Sequence, residues 1–197
     1  LAGVFSRMEC PLILKAEPDS RPVSEDLRRM LMELAALTDK LTVEWTPPSD
    51  GPERPCVRVL RADGTDTGIA FHGVPGGHEF NSFVVGLYNA AGPGQSIDPA
   101  LAEAIAAIDR PLDLQIVVAL SCTMCPELVI AAQKIAASNP LVTAKVYDVN
   151  HFPELRERYK IMSVPCLIIN KAKVAFGKKT LGQLLELLAE PEDGQTG

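Results

Sequence analysis

The chain has 197 residues, 47% hydrophobic and 22% charged, with 19 Lys plus Arg against 25 Asp plus Glu and a net charge of −6. That length supports one large domain or two small ones with true cores, which excludes a disordered chain and a miniature held by staples. The acidic balance, with no basic run beyond two residues, argues against a nucleic-acid surface, and no apolar stretch approaches the ~18 residues of a membrane span. With no charged n-region or long apolar h-region the protein reads as soluble and cytoplasmic, and the missing initiator Met points to an excised fragment.

Residues 11–16 read as a short apolar strand. Residues 24–37 read as an amphipathic helix capped by Ser24, with Leu27, Met30, Leu31, Leu34 and Leu37 at helical spacing. A strand at 41–45 and a Pro/Gly-rich loop at 47–55 lead to a strand at 56–60. The Asp63-Gly64 turn then introduces a strand around 69–72, and a helix at 79–90 follows. Small, turn-forming residues at 90–96 break the periodicity and mark a boundary. Beyond it come a helix at 99–108 and a strand at 113–120 whose unbroken apolar run suggests burial on both faces. A helix opened by Pro126 runs until Asn139-Pro140. Then follow a strand at 141–147, a helix at 152–159, strands at 166–169 and 174–176 about an Asn170-Lys171 turn, and a helix at 180–188. Residues 190–197 read as a solvated tail.

The two sides of the break resemble one another. Each has strand, helix, strand, then a Pro-Cys pair opening an apolar strand, Pro55-Cys56 and Pro165-Cys166, followed by a hairpin, a Gly and a helix. The period is too long for a solenoid repeat, so the expected architecture is α/β with two similar folds packed together. The expected divisions are 1–92, 93–190 and a linker or tail at 191–197. Only the second fold holds Cys-x-x-Cys, because Glu17-Pro18-Asp19-Ser20 occupies roughly that place in the first.

The chemistry centres on Ser121-Cys122-Thr123-Met124-Cys125-Pro126, between a strand and a helix. A cysteine at a helix N-terminus sits where free amides and the positive end of the dipole favour thiolate, which makes Cys122 the candidate nucleophile. Cys125, one turn on, is the candidate resolving thiol. Two alternatives are a zinc half-site and an inert buried pair. Zinc needs further ligands, and His72, His78 and His151 show no ligand spacing, so no metal is expected. Pro165 is expected to face the disulfide loop with a cis bond, freeing the backbone of Val164 to pair with a substrate chain. Thr123, Met124, Val164 and Pro165 are therefore the candidate substrate-contacting residues. Cys166 reads as a buried hydrophobe close to the dithiol, and Cys10 and Cys56 as core or surface residues.

From about residue 12 to 188 the chain resembles the N-terminal region of the flavoprotein subunit of alkyl hydroperoxide reductase. The resemblance rests on Gly73-Val74-Pro75-Gly76-Gly77-His78-Glu79-Phe80 with Ser82, on residues 120–126, on Asn139-Pro140 and on Met162-Ser163-Val164-Pro165. It implies two fused thioredoxin-like folds with one active dithiol, relaying electrons from a flavin reductase to an oxidised peroxiredoxin. It also implies that Glu79 reaches the dithiol from the inactive fold and accepts the Cys125 proton. Read without the resemblance, Glu79 is an exposed residue at a helix N-terminus, and His78 a capping or packing residue. No Gly-x-Gly-x-x-Gly fingerprint occurs, so the chain itself is expected to carry no cofactor beyond the Cys122–Cys125 disulfide. FAD and NADH would belong to attached flavin domains or a partner reductase. The alternatives are a general protein disulfide reductase or isomerase, and a non-catalytic binding module.

Overall fold

The computed structural model describes residues 1–191, so nearly all of the expected tail at 191–197 lies outside the described residues. Before the break the chain forms α1 (Ala2–Arg7), β1 (Leu12–Glu17), α2 (Val23–Ala35), β2 (Leu41–Trp45), β3 (Cys56–Arg61), β4 (Asp66–His72) and α3 (Glu79–Ala91). After it come α4 (Pro99–Ala106), β5 (Leu112–Val118), α5 (Cys125–Ser138), β6 (Val142–Asp148), α6 (Pro153–Arg158), β7 (Cys166–Ile169), β8 (Lys173–Phe176) and α7 (Leu181–Ala189).

Local chemistry explains the boundaries. Asp98 caps α4 by accepting the Ala100 N–H at 2.8 Å, with Pro99 in the first turn, where its missing donor costs nothing. Thr180 and Gln183 form a capping box at α7. At α2 the expected cap is replaced: the helix starts at Val23, and the Ser24 hydroxyl donates to Asp19 at 2.6 Å instead. The short α1 has no counterpart among the expected elements; burial of Phe5 and Met8 holds it in place.

The strands build one eight-stranded sheet in the order β2-β1-β3-β4-β6-β5-β7-β8. The repeat is therefore a repeat of pairing. β1 lies parallel to β2 and antiparallel to β3, which is antiparallel to β4. β5 lies parallel to β6 and antiparallel to β7, which is antiparallel to β8. The two sets join edge to edge through parallel pairing of β4 with β6, with Phe71 opposite Val146 and His72 opposite Tyr147. Alternation sends successive strand residues to opposite faces. Ile116, Val118, Leu167 and Ile169 enter the main core with α2, α3, α5 and α7, while Val117, Cys166 and Ile168 enter a smaller core under α6.

The same joint brings α3, from the first set, alongside α5, from the second. Gln133 on α5 donates to the Ser82 carbonyl on α3 at 2.8 Å. Gly86 permits this approach, because a Cβ there would stand 2.8 Å from the Gln133 amide.

Candidate functional site

β5 is buried over most of its length and ends at Val118, and α5 opens at Cys125 with Pro126 in its first turn. Between them the Cys122 N–H donates to the Ala119 carbonyl at 3.0 Å and turns the loop back over the strand end. Cys122 and Cys125 form a disulfide, with Cα atoms 5.6 Å apart. Cys125 is fully buried and Cys122 half-buried, so an incoming sulfur can reach Cys122 alone. Cys122 lies just ahead of the first turn of α5, whose N-cap, Met124, makes no side-chain cap to the opening N–H groups.

Across from the disulfide, the Val164–Pro165 bond is cis, and the Val164 carbonyl oxygen lies 3.9 Å from Cys122 Sγ. The Pro165 carbonyl accepts from Gly177 N–H at 3.1 Å, which ties the loop to the end of β8. Thr123 and Met124, which follow Cys122 in the loop, are exposed, Val164, whose carbonyl faces its sulfur, is half-buried, and Pro165 is buried. Met162, two residues before Val164, is 93% exposed.

Glu79 overturns the reading made without the resemblance. It is fully buried rather than exposed. The His78 N–H donates to the Leu120 carbonyl at 2.9 Å, pinning the start of α3 beside the segment that leads into Cys122. Gly77 makes this contact feasible: its φ is +52°, and a Cβ would approach the Leu120 oxygen to 2.6 Å. The His78 side chain makes no cap. Burial pushes the Glu79 carboxyl up to about 7, partly offset by the Ser82 hydroxyl. Near neutrality such a group exists in both protonation states.

The remaining cysteines are unsuited to exchange or lie elsewhere. Burial pushes the Cys166 thiol up to about 11, against a small opposing effect of Lys179. Burial and then Glu17 raise Cys56, whose thiol donates to Glu17 Oε2 at 3.2 Å. Cys10 is exposed. Among the described residues no group of three or more His, Cys, Asp or Glu side chains could hold a metal ion, and no helix is long and apolar enough to cross a membrane.

A family described as thioredoxin domain matches residues 112–189, the part that carries the disulfide. The chain is 36% identical to the solved N-terminal domain of the alkylhydroperoxide reductase AhpF of Enterococcus faecalis, with 95% of each chain covered and a TM-score of 0.89. The chain belongs to the family of AhpF N-terminal domains. It is accordingly a thiol-disulfide oxidoreductase domain built from two thioredoxin-like folds. A protein disulfide oxidoreductase from Aeropyrum pernix shares the fold, at 19% identity and a TM-score of 0.79. Among curated relatives, the AhpF protein of Pseudomonas aeruginosa alkyl hydroperoxide reductase is 31% identical over 98% of this chain and 36% of its own length. A protein called NADH dehydrogenase from Ferdinandcohnia aciditolerans is 31% identical over 94% of this chain and 35% of its own length. The chain thus spans about a third of the length of these relatives.

Proposed function

We propose that this chain is a dithiol relay that takes electrons from a flavoprotein reductase and delivers them to an oxidised peroxiredoxin. The observation that carries the reading is the Cys122–Cys125 disulfide at the head of α5, its reachable sulfur facing the carbonyl that precedes Pro165. Family membership supports the choice of partners. We take residues 1–92 and 93–190 as its two fold units and assign the dithiol to the second.

The reduced chain starts with a Cys122 thiolate. It attacks one sulfur of the partner disulfide, forming a mixed disulfide and expelling one partner thiolate. A peptide chain carrying that disulfide lies across the rim formed by Thr123, Met124, Val164 and Pro165, pairing with the backbone of Val164. Cys125 then attacks Cys122 Sγ, which expels the second partner thiolate and leaves the Cys122–Cys125 disulfide. Two electrons have passed to the partner. The proton of Cys125 goes to the buried Glu79 carboxylate, directly or through water, and from there to solvent. A dithiol on the reductase reverses the exchange to reset the chain. FAD and NADH belong to that reductase, in cis or in trans, and the chain's own redox group is the disulfide.

The test compares acceptors. Reduced chain is mixed rapidly with an oxidised two-cysteine peroxiredoxin or with insulin, and its reoxidation is followed. A relay dedicated to peroxiredoxin reacts at least ~100-fold faster with the peroxiredoxin, whereas equal rates would make the chain a general protein disulfide reductase.

A further inference from the structure

The first turn of α3 carries two polar side chains with no exposure at all, Glu79 and Ser82. They are spaced i, i+3 and so lie on one helix face. In the oxidised chain neither carboxylate oxygen of Glu79 nor the hydroxyl of Ser82 stands in hydrogen-bond geometry with any described residue, so the hydroxyl lowers the raised Glu79 carboxyl without a formed bond. Buried polar groups are otherwise nearly always paired, so two unpaired groups side by side call for a use. This turn is also held firmly. The Ser82 carbonyl accepts from Gln133, Gly86 one turn later admits the Gln133 amide, and the His78 N–H is bonded to Leu120. The turn that carries both side chains is thereby fixed against α5, the helix that begins with Cys125.

We propose that Ser82 is a positioning residue for the resolving step, its hydroxyl turning to donate to Glu79 while that carboxylate waits for the Cys125 proton, and turning to accept once Glu79 holds it. The inference rests on the reading of Glu79 as proton acceptor. A hydroxyl suits the task because it both donates and accepts and its hydrogen rotates freely, so one side chain serves both states of the acid. The groups around Glu79 leave Ser82 little competition. His78 precedes it on the chain, Gln133 reaches this turn from α5 through the Ser82 carbonyl, and Leu120 meets the start of α3 through its backbone carbonyl. Besides burial, Ser82 is the one group that acts on the Glu79 carboxyl, and no charged side chain takes part. Without the hydroxyl, Glu79 stays protonated to higher pH and is a poorer acceptor near neutrality.

The test isolates resolution. In a Cys10→Ser background, which removes the exposed thiol, reduced chain is mixed with excess 5,5′-dithiobis(2-nitrobenzoate). The slower release of thionitrobenzoate reports attack of Cys125 on the mixed disulfide at Cys122. It is recorded from pH 5 to 9.5 for the background chain, Ser82→Ala, Glu79→Gln and the double variant. Ser82→Ala is expected to move the midpoint up by about half to one pH unit and to slow resolution at pH 7 roughly two- to fivefold. It should leave the alkaline plateau unchanged, and that plateau serves as the control for folding. In the Glu79→Gln chain, Ser82→Ala should change nothing further. If Glu79→Gln leaves the profile of the background chain unmoved, the reading of Glu79 fails and this inference with it. If Glu79→Gln flattens the profile while Ser82→Ala superimposes on the background chain, or shifts it equally with and without Glu79, only the role of Ser82 is overturned.

Discussion

The two folds keep the same skeleton around different chemistry. In each, a Pro-Cys pair opens the third strand after a cis bond, and the proline carbonyl accepts from the Gly that follows the hairpin, Gly73 to Pro55 at 2.9 Å and Gly177 to Pro165 at 3.1 Å. In the second fold the space before the proline holds Cys122, whose sulfur faces the Val164 carbonyl across an open rim. In the first fold Arg21 stands there instead. Its Nη2 donates to the Arg54 carbonyl at 2.8 Å, its Nη1 to the His151 carbonyl at 2.8 Å, and its Nε pairs with Asp19 at 2.6 Å. The guanidinium thus occupies the carbonyl that a substrate chain would use, and by reaching His151 it ties the loop after β6 to the first fold. A cavity of about 450 Å³ remains, lined by Ser20, Arg21, Arg54 and Phe152 among others. Where the second fold has the disulfide, the first has a clamp across the seam, while the same fold sends α3, and with it Glu79, against its neighbour.

The sharpest way to test this contrast is to strike the same place in both folds. Cys122→Ser should lower disulfide reduction at least ~100-fold in a steady-state assay, because no other sulfur combines access with a helix N-terminus. Arg21→Ala should leave that rate within about twofold and instead destabilise the chain by about 2 kcal/mol, since three bonds to a partly exposed guanidinium are lost. Calorimetry should record this as a fall in Tm of roughly 5 °C. Reversed outcomes would mean that the clamp and the catalytic site have been assigned to the wrong folds.

Smaller effects come from two buried titrating groups near the seam. The Glu79 carboxyl is raised from 4.5 to about 7 by burial. Its contribution to stability is complete below about pH 4.5 and disappears as pH rises through about 7, a change of about 3 kcal/mol. Urea unfolding from pH 4 to 8 should show this decline in the wild type and lose it in Glu79→Gln. His72 has the opposite sign. Stacked on Tyr147 at 4.1 Å and buried, it is held below 6.5 by desolvation, so its contribution is present above 6.5 and is lost as pH falls from there through the lowered value of the folded state. The acid limb of the same experiment should flatten in His72→Phe. Smallest of all, alkylation of the reduced native chain at pH 7 should label Cys122 and Cys10 well before Cys56 or Cys166, the two thiols that burial raises.

What is legible in the sequence is local. β5 announces itself by an unbroken apolar run, α5 by Pro126, and the dithiol by its place between them. The Pro-Cys repeat is visible because it is written in adjacent residues. The joint between the folds is not, because the period of a strand says which face is buried and nothing about which edge meets which. Pairing of β4 with β6 carries α3 onto α5, and Glu79 at a helix start cannot reveal burial that depends on a strand some seventy residues away. Arg21 is hidden for a related reason. In a Pro-rich loop an arginine reads as solvated, and its partners at Arg54 and His151 are distant in sequence.

The central claim, that Cys122 attacks and Cys125 resolves, is tested most directly by trapping. Reduced Cys125→Ser and Cys122→Ser chains, both in the Cys10→Ser background, are mixed with an oxidised two-cysteine peroxiredoxin, quenched and weighed by intact mass spectrometry. The expected result is a stable one-to-one mixed disulfide through Cys122 with Cys125→Ser and none with Cys122→Ser. A mixed disulfide that forms through Cys125 in the Cys122→Ser chain, or none in either, would contradict it.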